Sequence, residues 1–222
     1  MKPFFTKTPA APKICGIITF EDAVGAIKAG AGALGFNFYP PSSRSIDPTS
    51  DLQWIRDLAE SFPEISRVAV VVNPDEGLLQ RLREAASFEA IQFHGDETPE
   101  FCATEGAFFS YWIKALRIRS EEDLVEADRY ETSFLLLDAA VAGSYGGSGH
   151  QLDWGLAAKF VAEHPLSRVL LAGGLTPENV ALAVTQVHPH AVDVASGVES
   201  APGRKDAGKV RAFIEAVTPR LA

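Results

Sequence analysis

Short apolar runs alternate with amphipathic stretches about eight times along this chain. The apolar runs fall at 12–17, 33–39, 67–73, 90–94, 111–116, 133–138, 168–173 and 191–196, and are rich in Val, Ile, Leu and Phe. Most are continuous rather than alternating, the pattern of parallel strands covered on both faces. Helix-start signals lie between them. Thr19 precedes Glu21 and Asp22, and Ser50 with Gln53 has capping-box spacing. Thr98-Pro99-Glu100 and Thr176-Pro177-Glu178 each read as an N-cap followed by proline at the first helical position. The helix expected around 98–105 is short. Strand–helix alternation predicts βαβ units and a parallel sheet. Eight such units predict an α/β fold of the (β/α)8 TIM-barrel type, a single domain over 12–222. An open doubly wound sheet is the structural competitor.

Residues 1–11 hold two lysines and two prolines and lack the apolar core of a signal peptide. They are expected to be a flexible leader. The Gly/Ser-rich stretch Ala142–Gly149 lies between a strand and a helix and is expected to be a mobile loop at the active face. No run approaches the roughly 18 apolar residues of a membrane span.

Composition narrows the partners. The chain has 222 residues, 46% of them hydrophobic, and a net charge of −9. That balance argues against nucleic acid or an acidic membrane surface, since both require clustered Lys and Arg. Two cysteines, Cys15 and Cys102, fit a reducing, cytoplasmic setting. The same balance says little about an anionic small-molecule substrate, which needs only local donors; a monomer is expected.

The candidate chemistry sits where the apolar runs stop. In a (β/α)8 barrel these C-terminal strand ends open onto one face, which holds the active site. Cys15 ends the first run and could be a base or nucleophile, or a small buried hydrophobe. Asp138 ends Phe134–Asp138, where a carboxyl suits acid catalysis or caps the next loop. Gly173 and Gly174, then Ser196 and Gly197, end the seventh and eighth runs, where barrels bind phosphate through backbone N–H groups; plain turn glycine is the alternative. Arg44, after the second run, could fork onto a carboxylate or sit on the surface. His94 ends the fourth run and could orient substrate or satisfy the rim. Cys102 falls inside a helix and reads as packing. The histidines show no metal-ligand spacing.

Together these segments resemble the phosphoribosylanthranilate isomerase family of tryptophan biosynthesis. The resemblance rests on Lys13–Gly16, Ala33–Tyr39 with Ser43-Arg44, Gln92–Glu97, Ile113–Ala115, Leu136–Asp138, Gly146–Gly149 with Asp153-Trp154, Leu171–Asn179 and Asp193–Glu199 with Ala201–Gly203. It implies an Amadori rearrangement of a phosphosugar-anthranilate substrate without metal or organic cofactor. Cys15 would be the general base and Asp138 the general acid. Arg44, His94, Gly147, Gly173, Gly174, Ser196 and Gly197 would bind substrate, with Arg44 on the anthranilate carboxylate and the glycine-rich strand ends on phosphate. Two departures stand out. The leader is about ten residues longer than is usual in the family. Ser43 replaces a common proline before Arg44, which leaves that loop less constrained.

Two rivals remain at this level. Another phosphosugar barrel, such as indole-glycerol-phosphate synthase or ribulose-phosphate epimerase, would need a catalytic lysine set or His/Asp metal ligands. A non-catalytic phosphometabolite-binding barrel would keep the glycine sites but need neither Cys15 nor Asp138.

Overall fold

The computed structural model describes residues 2–6, 10–85, 87–139 and 152–217. Eight parallel strands run in sequence order around one closed barrel: β1 (Ala11–Cys15), β2 (Ala33–Asn37), β3 (Ser66–Val71), β4 (Ala90–Phe93), β5 (Tyr111–Ile118), β6 (Phe134–Ala139), β7 (Arg168–Leu171) and β8 (Ala191–Val194). β1 pairs with both β2 and β8, so the ring has no edge. That closure rules out the open doubly wound sheet. Several expected strands run past the observed C-terminal ends, because the apolar sequence continues into segments buried at the barrel mouth.

Successive strand residues point to opposite faces. The inward set is small in its middle layers: Ala33, Val68, Val70, Ala90, Ala115, Leu170, Ala172 and Ala191 form one buried cluster. The outward set is larger: Leu34, Phe36, Val71, Ile91, Phe93, Leu135 and Leu137 pack into a second cluster with helix residues such as Ile55, Leu79 and Phe160. Both sets are apolar, which is why the strands read as continuous runs.

The helices include α2 (Phe20–Ala29), α3 (Gln53–Ser61), α5 (Pro99–Gly106) and α8 (Val180–Val187). Two of the start signals act as expected. Thr19 and Thr98 accept hydrogen bonds from the N–H groups of Asp22 and Phe101, and Pro99 occupies the first turn. Two do not. At α3, Asp51 accepts from Gln53 N at 2.8 Å, while the Ser50 hydroxyl turns back to Asp47 O at 2.6 Å. At α8, Asn179 is the N-cap residue and Thr176–Asn179 is a turn ahead of the helix. Asn179 draws that turn inward by accepting from Thr176 N and donating to Gly174 O.

Of the expected flexible leader, residues 2–6 and 10–11 are among those described. Pro3–Thr6 form a single helical turn, α1, and Ala11 already belongs to β1. Phe4 and Phe5 are fully buried and join the inward-facing cluster. Phe5 stacks on Tyr111 with ring centroids 4.0 Å apart and meets Phe134 edge-on at 5.0 Å. Arg168 donates to Phe5 O at 2.7 Å, and His190 lies 3.0 Å from Phe4 O through Nε2. These partners stand at the N-terminal ends of β5 to β8, so the turn closes the barrel floor, opposite the mouth. Apolar surface that would otherwise face water holds the leader down. Phe5→Ala is expected to destabilise the fold by about 3–5 kcal/mol. For a chain of this size that is a fall in Tm of roughly 6–20 °C in thermal unfolding. An unchanged Tm would show that the turn does not seal the floor in solution.

Candidate active site

The inward alternation delivers the polar residues to the mouth in pairs. β1 carries Lys13 and Cys15 two residues apart, and β4 carries Gln92 with His94 just beyond it. Asp138 comes from β6 and Asp193 from β8. Cys15, Asn37, Arg44, Gln92, His94, Asp138 and Asp193 line one cavity. Gly173, Gly174, Ser196 and Gly197 line a second, and Asp138, Asp193 and Ala195 line both. The structure thus gathers every candidate residue except Gly147, and Cys102, read as packing, lies apart. Cys102 lies in α5, away from the cavity and fully buried. Gly147 lies outside the described residues.

Two glycines make the arrangement sterically possible. A Cβ on Gly35 of β2 would fall 2.7 Å from Cys15 Sγ, so the bare backbone there seats the thiol. A Cβ on Gly197 would fall 1.9 Å from Leu175 O, so only glycine lets the loops after β7 and β8 meet.

Lys13 is fully buried; its Nζ lies 2.6 Å from Asp193 Oδ1 and 3.0 Å from Gln92 Oε1. Burial alone would push this ammonium down, but Asp193 and the neighbouring Cys15 outweigh it and hold it above its ordinary value. Burial pushes the Cys15 thiol up; Lys13 and Lys205 oppose that, and Asp193 adds to it. Burial therefore favours thiol over thiolate at Cys15. Across the cavity, Asp138 Oδ1 accepts from Ala139 N at 2.9 Å. His94 faces it, with Nε2 3.4 Å from Asp138 Oδ2, and has its other ring nitrogen 3.0 Å from Gln92 Nε2.

Arg44 is not a free surface arginine. Its Nε and Nη2 donate to the two carboxylate oxygens of Glu199 at 2.8 and 2.7 Å. That bidentate grip takes one edge of the guanidinium and leaves the Nη1/Nη2 edge for a second carboxylate. Lys205 binds the same Glu199 at 2.8 Å. The Arg44 loop is also tied by Ser42, whose hydroxyl accepts from Arg44 N and from Asn37 Nδ2, both at 3.2 Å. The constraint expected from a proline before Arg44 is supplied instead by Ser42 and Glu199.

Sequence inspection missed the supporting charged and polar residues: Lys13, Gln92, Asp193, Glu199 and Glu97. Glu97 accepts from Asn73 N, Gly95 N and Lys114 Nζ at 2.8, 3.0 and 2.8 Å. It thereby binds the segments after β3 and β4 to β5 and fixes the backbone that carries His94. The available signal was a charge within an apolar run, since such a residue must be paired. Another cavity, of about 590 Å³, lies elsewhere, between Gly95–Glu100 and Arg119–Tyr130. Its cations are spent on neighbours: Lys114 on Glu97, Arg119 on Asp123 and Arg129 on Glu126. Among the described residues, no group of three or more His, Cys, Asp and Glu side chains is arranged to hold a metal ion. No helix among them is long and apolar enough to cross a membrane.

A thiol, a carboxyl and an imidazole around one cavity, beside a glycine-lined one, at the mouth of a closed parallel barrel define a (β/α)8-barrel enzyme. Residues 12–216 match the family model of N-(5'-phosphoribosyl)anthranilate (PRA) isomerase. The chain belongs to this family. N-(5'-phosphoribosyl)anthranilate isomerase of Pelobacter propionicus is 44% identical over 202 residues, 91% of this chain and 92% of that protein. The crystal structure of phosphoribosyl anthranilate isomerase from Thermotoga maritima superposes with a TM-score of 0.82 at 35% identity, covering 94% of this chain and 98% of that one. Another, in complex with reduced 1-(o-carboxyphenylamino)-1-deoxyribulose 5-phosphate, superposes at 0.78 with 34% identity and the same coverage.

The electrostatics yield a direct test. In a Cys102→Ala chain, alkylation of Cys15 by iodoacetamide is expected to keep accelerating past about pH 9, because a thiol raised by burial ionises above its ordinary range of about 8.5. A rate that levels off below about pH 8 would mean a thiolate at neutral pH, against the dominance of burial.

Proposed function

We propose that this chain converts N-(5'-phosphoribosyl)anthranilate to 1-(2-carboxyphenylamino)-1-deoxyribulose 5-phosphate, the isomerisation step of tryptophan biosynthesis, with Asp138 as general acid and Cys15 as general base. The observation that carries this reading is that Cys15 and Asp138, from β1 and β6, line one cavity adjoined by a glycine-rich one. Family membership supports the substrate and the overall reaction.

In this mechanism protonated Asp138 gives its proton to the furanose ring oxygen. The C1′–O bond breaks, and the anilino nitrogen supplies the electrons of a C1′=N iminium. The Cys15 thiolate then takes the proton from C2′. Those electrons form a C1′=C2′ bond and neutralise the nitrogen, giving an enolamine. The enolamine takes up a proton at C1′ and gives up that of the 2′-hydroxyl to become the ketone. Each step needs one acid and one base held on different sides of the same small molecule. Burial makes the thiolate a minority form, but the ammonium groups of Lys13 and Lys205 offset its charge once formed.

The remaining contacts follow the charges of the substrate. The anthranilate carboxylate is read onto the Nη1/Nη2 edge of Arg44, with Glu199 holding the guanidinium in place. The phosphate is read onto the backbone around Gly173, Gly174, Ser196 and Gly197, where no Cβ stands between ligand and amide at the glycines. His94 contacts substrate beside Asp138, and Gly147 belongs to the same substrate-binding set.

Turnover is followed as loss of anthranilate-type fluorescence with freshly made substrate. Cys15→Ala and Asp138→Asn are each expected to lower kcat at least about a hundredfold with the fold intact. Cys102→Ala is expected to remain near wild type. Comparable activity in Cys15→Ala and Cys102→Ala would remove Cys15 as the base. Wild-type kcat in Asp138→Asn would reduce Asp138 to a loop cap.

A further inference from the structure

Four side chains form a continuous polar line under the mouth: Asp193, Lys13, Gln92 and His94, with Asp138 beyond. Its links are 2.6 Å from Lys13 Nζ to Asp193, 3.0 Å from Lys13 Nζ to Gln92 Oε1, and 3.0 Å from Gln92 Nε2 to His94 Nδ1. Lys13 and Gln92 are fully buried and His94 is 8% exposed. At the far end, His94 Nε2 is a buried polar atom with no protein hydrogen-bond partner, 3.4 Å from Asp138 Oδ2.

The direction of every hydrogen bond in this line follows from its first member. An ammonium has three donors and no acceptor. Lys13 is kept as an ammonium by the Asp193 carboxylate, so the Gln92 atom facing it is the carbonyl oxygen. The other end of that amide is an NH2 group, which only donates. His94 Nδ1 must then present a lone pair. A neutral imidazole with a bare Nδ1 carries its proton on Nε2. An imidazolium, a donor at both nitrogens, would set N–H against N–H at Gln92. The groups facing the ring are thus Gln92 on one side and Asp138 on the other, with Lys13, Asp193 and Cys15 in the same polar cluster.

We infer that Lys13 is a positioning residue which, through Gln92, holds His94 in the neutral Nε2–H tautomer, so that His94 offers the site one hydrogen-bond donor beside Asp138 and neither a base nor a positive charge. Taken with Asp138 as the acid, this has a use. A cation at that distance would favour ionised Asp138 before the reaction begins. A neutral N–H donates to the carboxylate, or to the oxygen it has just protonated, without that bias.

The tautomer is read in the resting protein, independently of turnover. The chain holds five histidines, and in a sample carrying ¹⁵N-labelled histidine the His94 signals are assigned by their loss in His94→Asn. Two-bond ¹H–¹⁵N correlations at neutral pH are expected to show His94 with a pyrrole-type Nε2 and a pyridine-type Nδ1. Gln92→Glu keeps the shape but replaces the donor with an acceptor. It is expected to move the proton to Nδ1 and to lower kcat by at least about tenfold, the direction seen when a histidine is held in the wrong tautomer, with KM changed less than about threefold. A wild-type His94 protonated on Nδ1, whether neutral or cationic, overturns the inference even if the variant fails to fold. So does a Gln92→Glu chain whose His94 spectrum is that of wild type. Loss of kcat in that variant without movement of the proton would assign Gln92 a different role. Failure of Cys15 or Asp138 as base or acid would leave the wild-type spectrum unchanged, so the two readings are tested separately.

Discussion

A charged amine with no exposure to water sits at the seam where this barrel closes. Lys13 on β1 and Asp193 on β8 are register partners, and their side chains meet at 2.6 Å inside the ring. Burying either charge alone would be prohibitive, and breaking such a pair by removing one member typically costs about 3–5 kcal/mol. A slip of one residue along the seam would turn Lys13 outward and Ile14 inward. The ion pair thus opposes the alternative register at the one junction where the first strand must find the last. Cys15 follows two residues later on the same face, and its depth and direction are set by that register.

The rest of the site is built outward from this pair by the same rule, that a buried polar group needs a partner. Gln92 satisfies Lys13 and turns its amide to His94. Glu97 gathers donors from Asn73, Gly95 and Lys114 and stiffens the backbone beside His94. Glu199 grips Arg44 and Lys205. The result is a mouth in which His94 and the outer edge of Arg44, groups proposed to meet substrate, are held from behind by Gln92 and Glu199, groups proposed not to. The floor is closed separately by Phe4 and Phe5, so stability at one end is divided from chemistry at the other.

Much of this was legible in the chain. The barrel followed from eight apolar runs with helix signals between them. Cys15 and Asp138 stood out because each is a reactive group at the end of such a run. What was not legible depended on partners distant in sequence. Lys13 looks like one charge in a short strand until Asp193, 180 positions away, is known to face it. Period-two alternation from Cys15 would have turned Lys13 inward and demanded a counter-charge. Phe4 and Phe5 were hidden by the polar residues around them, although two adjacent phenylalanines in a leader are costly to leave in water. The start of α8 was misjudged because Thr176-Pro177 has the chemistry of a cap; the Thr176 hydroxyl does accept from Glu178 N at 3.3 Å, but it closes a turn and the helix begins only after Asn179.

The central claim is that one mouth holds a phosphorylated substrate with its reacting carbons between Cys15 and Asp138. A crystal structure of this protein with a reduced, non-isomerising product analogue tests it most directly. The account predicts the phosphate on the amides around Gly173, Gly174, Ser196 and Gly197, C2′ within about 4 Å of Cys15 Sγ, and the oxygen derived from the furanose ring within about 3 Å of an Asp138 carboxylate oxygen. A phosphate held instead in the cavity between Gly95–Glu100 and Arg119–Tyr130, or a ligand with Cys15 and Asp138 on the same side of its carbon chain, would contradict it.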